Sequence, residues 1–277
     1  MSNQLDLTFD TPEPIGLYVE NGRGSVDVTA TDTIETTVRI TGERAEEFDV
    51  RDLGDRIAII APRRSGGLLG RDPRAEIVVE VPVASGLQAK VGSSDVRTHG
   101  RFADIRVDSG SGDVSVDVVE GDAFVQTGSG DLVAEHLLGE ARLKSGSGDV
   151  LVRRAESALV VTTGSGDVRV ESARAELAVK TGSGDTHVLS MGGEAVVNTG
   201  SGDLVVGEVA SGRVTAKTAS GDVSIGVVPG TPVWTDVRTA SGRLSSTLPS
   251  TGEPAPDQPY LEVRATTASG DVTLHQS

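Results

Sequence analysis

The stretch T-G-S-G-D-V-R-V, residues 163–170, combines residue types that hold ions. Glycines bare their backbone N–H groups to a phosphate, and a carboxylate can ligate a metal. Each chemistry demands more than this stretch supplies. A phosphate loop needs a lysine and a helix start after its glycines, whereas here Val168 and Val170 follow in strand-like alternation. Calcium-binding nonapeptide repeats, G-G-x-G-x-D-x-U-x, place the aspartate two positions after a glycine and recur every nine residues. Here the aspartate follows the second glycine directly and returns only once in eighteen. Stacked aspartates about 5 Å apart repel by roughly 0.8 kcal/mol in water. Burying each Val or Leu contributes about 1.5–3 kcal/mol, so the repeat needs no cation to form. The stretch therefore reads as a structural turn, with a cation site as the alternative.

The remaining candidates carry no clearer chemistry. His99, His136, His187 and His275 fall at unrelated points of the pattern and imply no metal cluster. Ser-His-Asp catalysis is not legible, because the many Ser and Asp residues belong to the turns. Rows of carboxylates could suggest polysaccharide cleavage, but the rungs repeat without the catalytic exceptions that such a site needs, Arg243 apart. Arg63, Arg64, Arg71 and Arg74 surround Leu68 and Leu69 in 62–74. This is a hairpin tip, or alternatively a partner-binding one. No catalytic, cofactor-binding or metal-binding residue is expected.

What positions these residues is a repeat. Asp95, Asp113, Asp131, Asp149, Asp167, Asp185 and Asp203 are each eighteen residues apart, and Asp222, Arg243 and Asp271 continue the series at wider steps. A fixed short period is the signature of a solenoid. With the aspartate as column zero, column one reads Val96, Val114, Leu132, Val150, Val168, Thr186, Leu204, Val223, Leu244 and Val272. Columns three, ten and twelve are also apolar, so alternate residues share one face, the period of a half-buried strand. Column six (Val119, Leu137, Ala155, Ala173, Met191, Val209) predicts a corner or a third short side. Ser or Thr before each turn, from Ser109 to Thr267, predicts a ladder of hydroxyls bonded to neighbours or to the turn backbone. No rung buries its apolar face alone, whereas stacked rungs form one core.

The prediction is an all-β, single-chain parallel β-solenoid of 18-residue rungs, of either hand. Residues 1–94 form divergent rungs with longer loops, and 95–277 the regular repeat. Only 3% of residues are aromatic, so the core must be narrow and filled by Val, Leu, Ala and Thr. Trp234 and the proline-rich 248–260 ending at Tyr260 lie in late insertions, and 249–259 could cap the open end.

A net charge of −16 argues against nucleic acid and anionic membranes as partners. No stretch of about 18 apolar residues predicts membrane insertion. The N-terminal M-S-N-Q-L-D-L-T-F-D lacks a basic start and an apolar core, so the expected location is cytoplasmic. No cysteine is present.

The repeated S-G-S-G-D-V and T-G-S-G-D-L rungs follow an opening marked by Phe9, Pro12, Val19, Gly22, Gly24 and Val28. Together they resemble the bacterial β-strand-repeat "putative adhesin" family, domain of unknown function 4097, over nearly the whole chain. The resemblance implies a β-helical solenoid and a non-enzymatic adhesin-like binding module for a protein or polymer partner, with cell-surface placement implied by the family label. It carries over no catalytic or ligand residues. Two alternatives remain: an intracellular scaffold that self-associates end to end, and a polysaccharide-active enzyme.

Overall fold

The computed structural model describes residues 3–62, 72–249 and 258–277. These residues are strands and turns, with a three-residue 3-10 turn at Ala45–Glu47. The chain is a β-solenoid, and its contacts divide it into two units, Met1–Gly139 and Glu140–Ser277.

In the first unit, Gly16–Thr31 and Gly86–His99 lie parallel and in register, from Gly16 opposite Gly86 to Thr29 opposite His99. Ile105–Ser109 and then Ala123–Thr127 stack on 87–91. Val114–Val119 stacks on the neighbouring column and carries Leu132–Leu137. Each regular rung therefore has two strands. Column six does not make a third side: Val119 ends the strand Val114–Val119 and is fully buried there, beside Phe102 of the rung before.

The other end of this unit departs from parallel stacking. Glu35–Gly42 runs antiparallel on 75–80, Asn3–Asp10 runs antiparallel on Glu35–Gly42, and Asp49–Asp52 runs antiparallel on 57–60. Apolar alternation is the same for both directions, so the sequence pattern does not distinguish them. These strands cover the parallel strands beneath them, and Asn3–Asp10 and Asp49–Asp52 form the edges among the described residues.

The second unit repeats the two-strand rung. Ala141–Ser145, Leu159–Thr163, Leu177–Ser183, Glu194–Ser201 and Gly212–Ser220 form one column. Val150–Ala155, Val168–Ala173, Thr186–Met191, Leu204–Val209 and Val223–Val227 form the other. The last rungs then leave sequence order. Leu261–Ser269 pairs with Gly212–Ser220 on one side and with Val233–Thr239 on the other. Val272–Gln276 likewise lies between Val223–Val227 and Leu244–Ser246. The final rung is thus inserted beneath the one that precedes it.

Burial explains the order. Leu261, Val263, Ala265, Val272 and Leu274 are at most 1% exposed, whereas Leu244 of the outer rung is 53% exposed. The outer rung also places Thr235 in the column where the inserted rung has Val263. The more apolar rung lies inside, which favours this stacking by several buried side chains at about 1.5–3 kcal/mol each. The outer rung 233–246 is the last described layer; of the capping candidate 249–259, residues 250–257 lie outside the described residues.

Candidate functional site

The aspartate turns were the first candidate, and their geometry is that of a structural ladder. In the first unit, Oδ1 of Asp95 accepts the N–H of Asp113 (3.2 Å), and Oδ1 of Asp113 accepts the N–H of Asp131 (2.9 Å). In the second, the chain of bonds runs Asp149, Asp167, Asp185, Asp203, Asp222, Asp271, Arg243, at 2.7–2.8 Å. Each carboxylate satisfies an amide of the next rung, and the bonds follow spatial order. Among the described residues no group of three or more His, Asp or Glu is placed to hold a metal. Calcium needs six to eight oxygens, and one oxygen of each carboxylate is already engaged. Millimolar calcium should therefore leave the melting temperature unchanged. A rise of several degrees in a thermal scan would contradict the structural reading.

The hydroxyl column has two states, and the difference is physical. In the closed turns the second glycine donates its N–H to the hydroxyl three residues earlier. These bonds are Gly112 to Ser109 (3.1 Å), Gly130 to Thr127 (3.1 Å), Gly148 to Ser145 (2.8 Å), Gly166 to Thr163 (3.1 Å) and Gly242 to Thr239 (2.9 Å). In the open turns the strand runs on through the serine, and Gly184, Gly202 and Gly221 take φ of 141°, 145° and 150°. Their N–H groups donate to Ser201, Ser220 and Ser269 of the next rung instead. The hydroxyls of Thr181, Thr199 and Thr218 are then buried with no protein partner, and so is that of Thr267 in the final rung.

Thr163→Val should cost about 1–3 kcal/mol, because it strands the buried N–H of Gly166. Thr199→Val removes no protein hydrogen bond and should be neutral or mildly stabilising. Urea midpoints of the two variants check this, and equal losses would refute the two-state description.

The histidines are divided between the two units. His99 and His136 lie in the first unit and His187 and His275 in the second, with His99 and His187 exposed. In the basic tip, Arg74 is exposed and its N–H donates to Glu43 Oε2 (3.3 Å). Arg63, Arg64, Leu68, Leu69 and Arg71 lie outside the described residues. Trp234 and Tyr260 are 50% and 47% exposed.

The sequence reading missed a groove of about 310 Å³ in the first unit. Gly16 and Gly86 lie opposite each other in its lining, so two successive rungs have no side chain of their own at that position, and the Arg56 side chain extends beside Gly16. Beside these glycines runs the outward ladder Tyr18, Gln88, Arg106, Phe124, one residue per rung and in register. The Arg106 guanidinium lies over the Phe124 ring, 4.3 Å from its centre, and Lys90 lies over Tyr18 at 5.7 Å. Burial, together with the hydrogen bond that it donates to Glu20, pushes the pKa of the Tyr18 hydroxyl up to about 12. Arg56, Asp104 and Asp122 border the groove. The surface thus combines two of the chain's few aromatic rings with an amide, cations and carboxylates. The available signal was the outward column eleven, where Arg106 and Phe124 follow one another.

A family model described as Toastrack DUF4097 matches residues 16–275. No curated protein matches the chain. A solved structure from Parabacteroides distasonis, called a "Putative lipid binding protein", is similar over 98% of this chain and 96% of that one. It has 10% identity and a TM-score of 0.50. A "putative adhesin" from Bacteroides fragilis matches 98% of this chain and 97% of its own, at 12% identity and a TM-score of 0.37. Another from Parabacteroides merdae matches 98% and 95%, at 10% and 0.34. At such identities the likeness concerns the fold alone. No helix among the described residues is long and apolar enough to cross a membrane.

Proposed function

The chain belongs to the Toastrack DUF4097 family, and from that premise we propose that it is a non-enzymatic, adhesin-like binding module whose partner lies across the rungs at the Gly16–Gly86 groove. The observation that carries this reading is the in-register ladder Tyr18, Gln88, Arg106, Phe124 beside the paired glycines Gly16 and Gly86. Aromatic rings bring apolar area with few torsions to freeze, and the polar groups between them fix orientation. A repeated rung suits an extended protein segment or polymer, because each step along the partner meets an equivalent step on the sheet. The aspartate rows support a non-enzymatic role, since they hold backbone amides rather than face one another across a cleft.

The test is binding to an immobilised panel of polysaccharides and cell-surface proteins, with Phe124→Ala and Arg106→Ala as variants. Binding by the parent chain that falls at least tenfold in both variants, with unchanged circular dichroism, supports the reading. Absence of binding, or binding unaffected by both, ends it.

A second reading is an end-to-end self-assembling scaffold. In its favour, Val233–Thr239 and Leu244–Ser246 pair on one side only among the described residues. Against it stand Arg238 and Arg243, exposed charges of the kind that discourage edge pairing. Sedimentation at rising concentration separates the two readings: a ladder of multimers favours the scaffold, and a single species counts against it.

A further inference from the structure

The out-of-order rung has no role in the proposed binding surface, yet it is the least expected feature of the second unit. Its contacts are specific. Glu262, whose side chain is 10% exposed, accepts from Arg213 Nε (2.7 Å) and from Arg264 Nε (2.6 Å). The two guanidiniums, Arg213 foremost, hold its carboxyl below the usual glutamate range against the opposing effect of desolvation. Arg264 in turn lies over Trp234 of the outer rung, 5.8 Å from the ring centre. Asp271 accepts the Arg243 N–H and donates its own N–H to Asp222 (2.7 Å). The inserted rung is therefore held from both faces by an ion-pair cluster, a cation–π contact and the aspartate ladder.

The two flanking rungs are also matched to each other. Leu261 lies opposite Gly212 and opposite Val233, and Thr267 lies opposite Thr218 and opposite Thr239. If 261–276 leaves, Val233–Thr239 falls against 212–218 in the same columns. The two flanking rungs thus share one register across the rung between them.

We propose that the slot between rungs 212–227 and 233–246 is a strand-acceptor site that takes residues 261–276 of a second copy of this chain as well as its own. The slot selects for that occupant. It needs Leu, Val and Ala facing inward, a carboxylate opposite Arg213, and an aspartate between Asp222 and Arg243. A second copy supplies each of these in register, and the exchanged pair repeats every contact of the single chain. The product is a closed dimer that exchanges one rung, not an open series of multimers.

The chain has no cysteine, which makes the test direct. Lys217 and Thr266 are exposed and lie opposite each other on paired strands. Adjacent strands are about 4.8 Å apart, within disulfide reach. Full-length Lys217→Cys and Thr266→Cys proteins are mixed at high concentration, passed briefly through mild urea, returned to buffer and oxidised. Rung exchange predicts a disulfide-linked dimer of the two variants, at least tenfold above that from Lys217→Cys mixed with Lys90→Cys. The double variant Lys217→Cys/Thr266→Cys, oxidised first as a monomer, locks the rung in its own chain and should form no dimer. If the double variant closes within one chain but the mixed variants stay monomeric, the proposal is overturned. If the double variant fails to close, the register itself is wrong and the proposal falls with it.

Discussion

Gly202→Ala is expected to destabilise the second unit by about 4 kcal/mol, from backbone strain and overpacking acting together. Gly202 has φ of 145°, a conformation that side chains other than hydrogen rarely adopt. A Cβ there would also lie 2.2 Å from the Gly184 carbonyl oxygen of the rung beneath. That neighbour is backbone, held by its own rung-to-rung bonds, and has no rotamer to yield. Gly230 provides the control. Its φ is 86°, but a Cβ would meet nothing within 4 Å, so Gly230→Ala should cost only the left-handed strain, about 1–2 kcal/mol. Urea unfolding of both variants separates the contributions. Similar midpoints would show that close stacking at the turn is not what demands glycine.

The second large effect is expected at Phe102, the largest fully buried side chain and one of only four phenylalanines. It lies beside Val119 in the sixth column, where the next rungs have Val119 and Leu137. Phe102→Ala should cost about 4 kcal/mol, and Phe102→Leu about 1.5 kcal/mol, the difference reflecting the space left unfilled. A solenoid core one rung thick cannot close such a gap from the side, because its neighbours are fixed by backbone pairing above and below. Denaturant midpoints at constant m-value measure both losses. An alanine variant less than 1.5 kcal/mol weaker than the parent would mean that this first-unit core relaxes far more than its register implies.

Much of the architecture could be read from spacing. The aspartates from Asp95 to Asp203 marked the rungs, and alternation placed Val114, Val116, Ala123 and Val125 inside, where they are buried. Val119 was harder, because an apolar residue three positions beyond Val116 breaks alternation whether it ends a strand or begins a new side. The order of the last rungs could not be read at all from the columns. Residues 218–222, 239–243 and 267–271 share T-A-S-G followed by Asp or Arg, so the pattern identifies three rungs without naming their neighbours. One clue was present: the Arg243 side chain, unlike an aspartate, has no acceptor to offer another rung, so it belongs at the end of the carboxylate series.

The two turn states were equally hidden. T-G-S-G is closed at 163–166 and open at 181–184, with identical residues. Because the residues are identical, the choice between the two states is a property of the stack and not of the tetrapeptide. The groove required two glycines far apart in sequence, Gly16 and Gly86, to meet in register. That juxtaposition is set by how 16–31 and 86–99 pair, and the irregular spacing of the first ninety residues concealed it.

The aspartate ladder has a direction, and its direction governs how such a gene can grow. Within either unit, duplication of an eighteen-residue segment adds a rung that receives a carboxylate from below and offers one above, so the copy joins without mismatch. The same duplication placed outside Arg243 finds a guanidinium where its amide needs an oxygen. Length in this protein is therefore free to vary by internal duplication and closed to variation at its outer rung, and a designer extending the fold would do so by inserting segments between two aspartates.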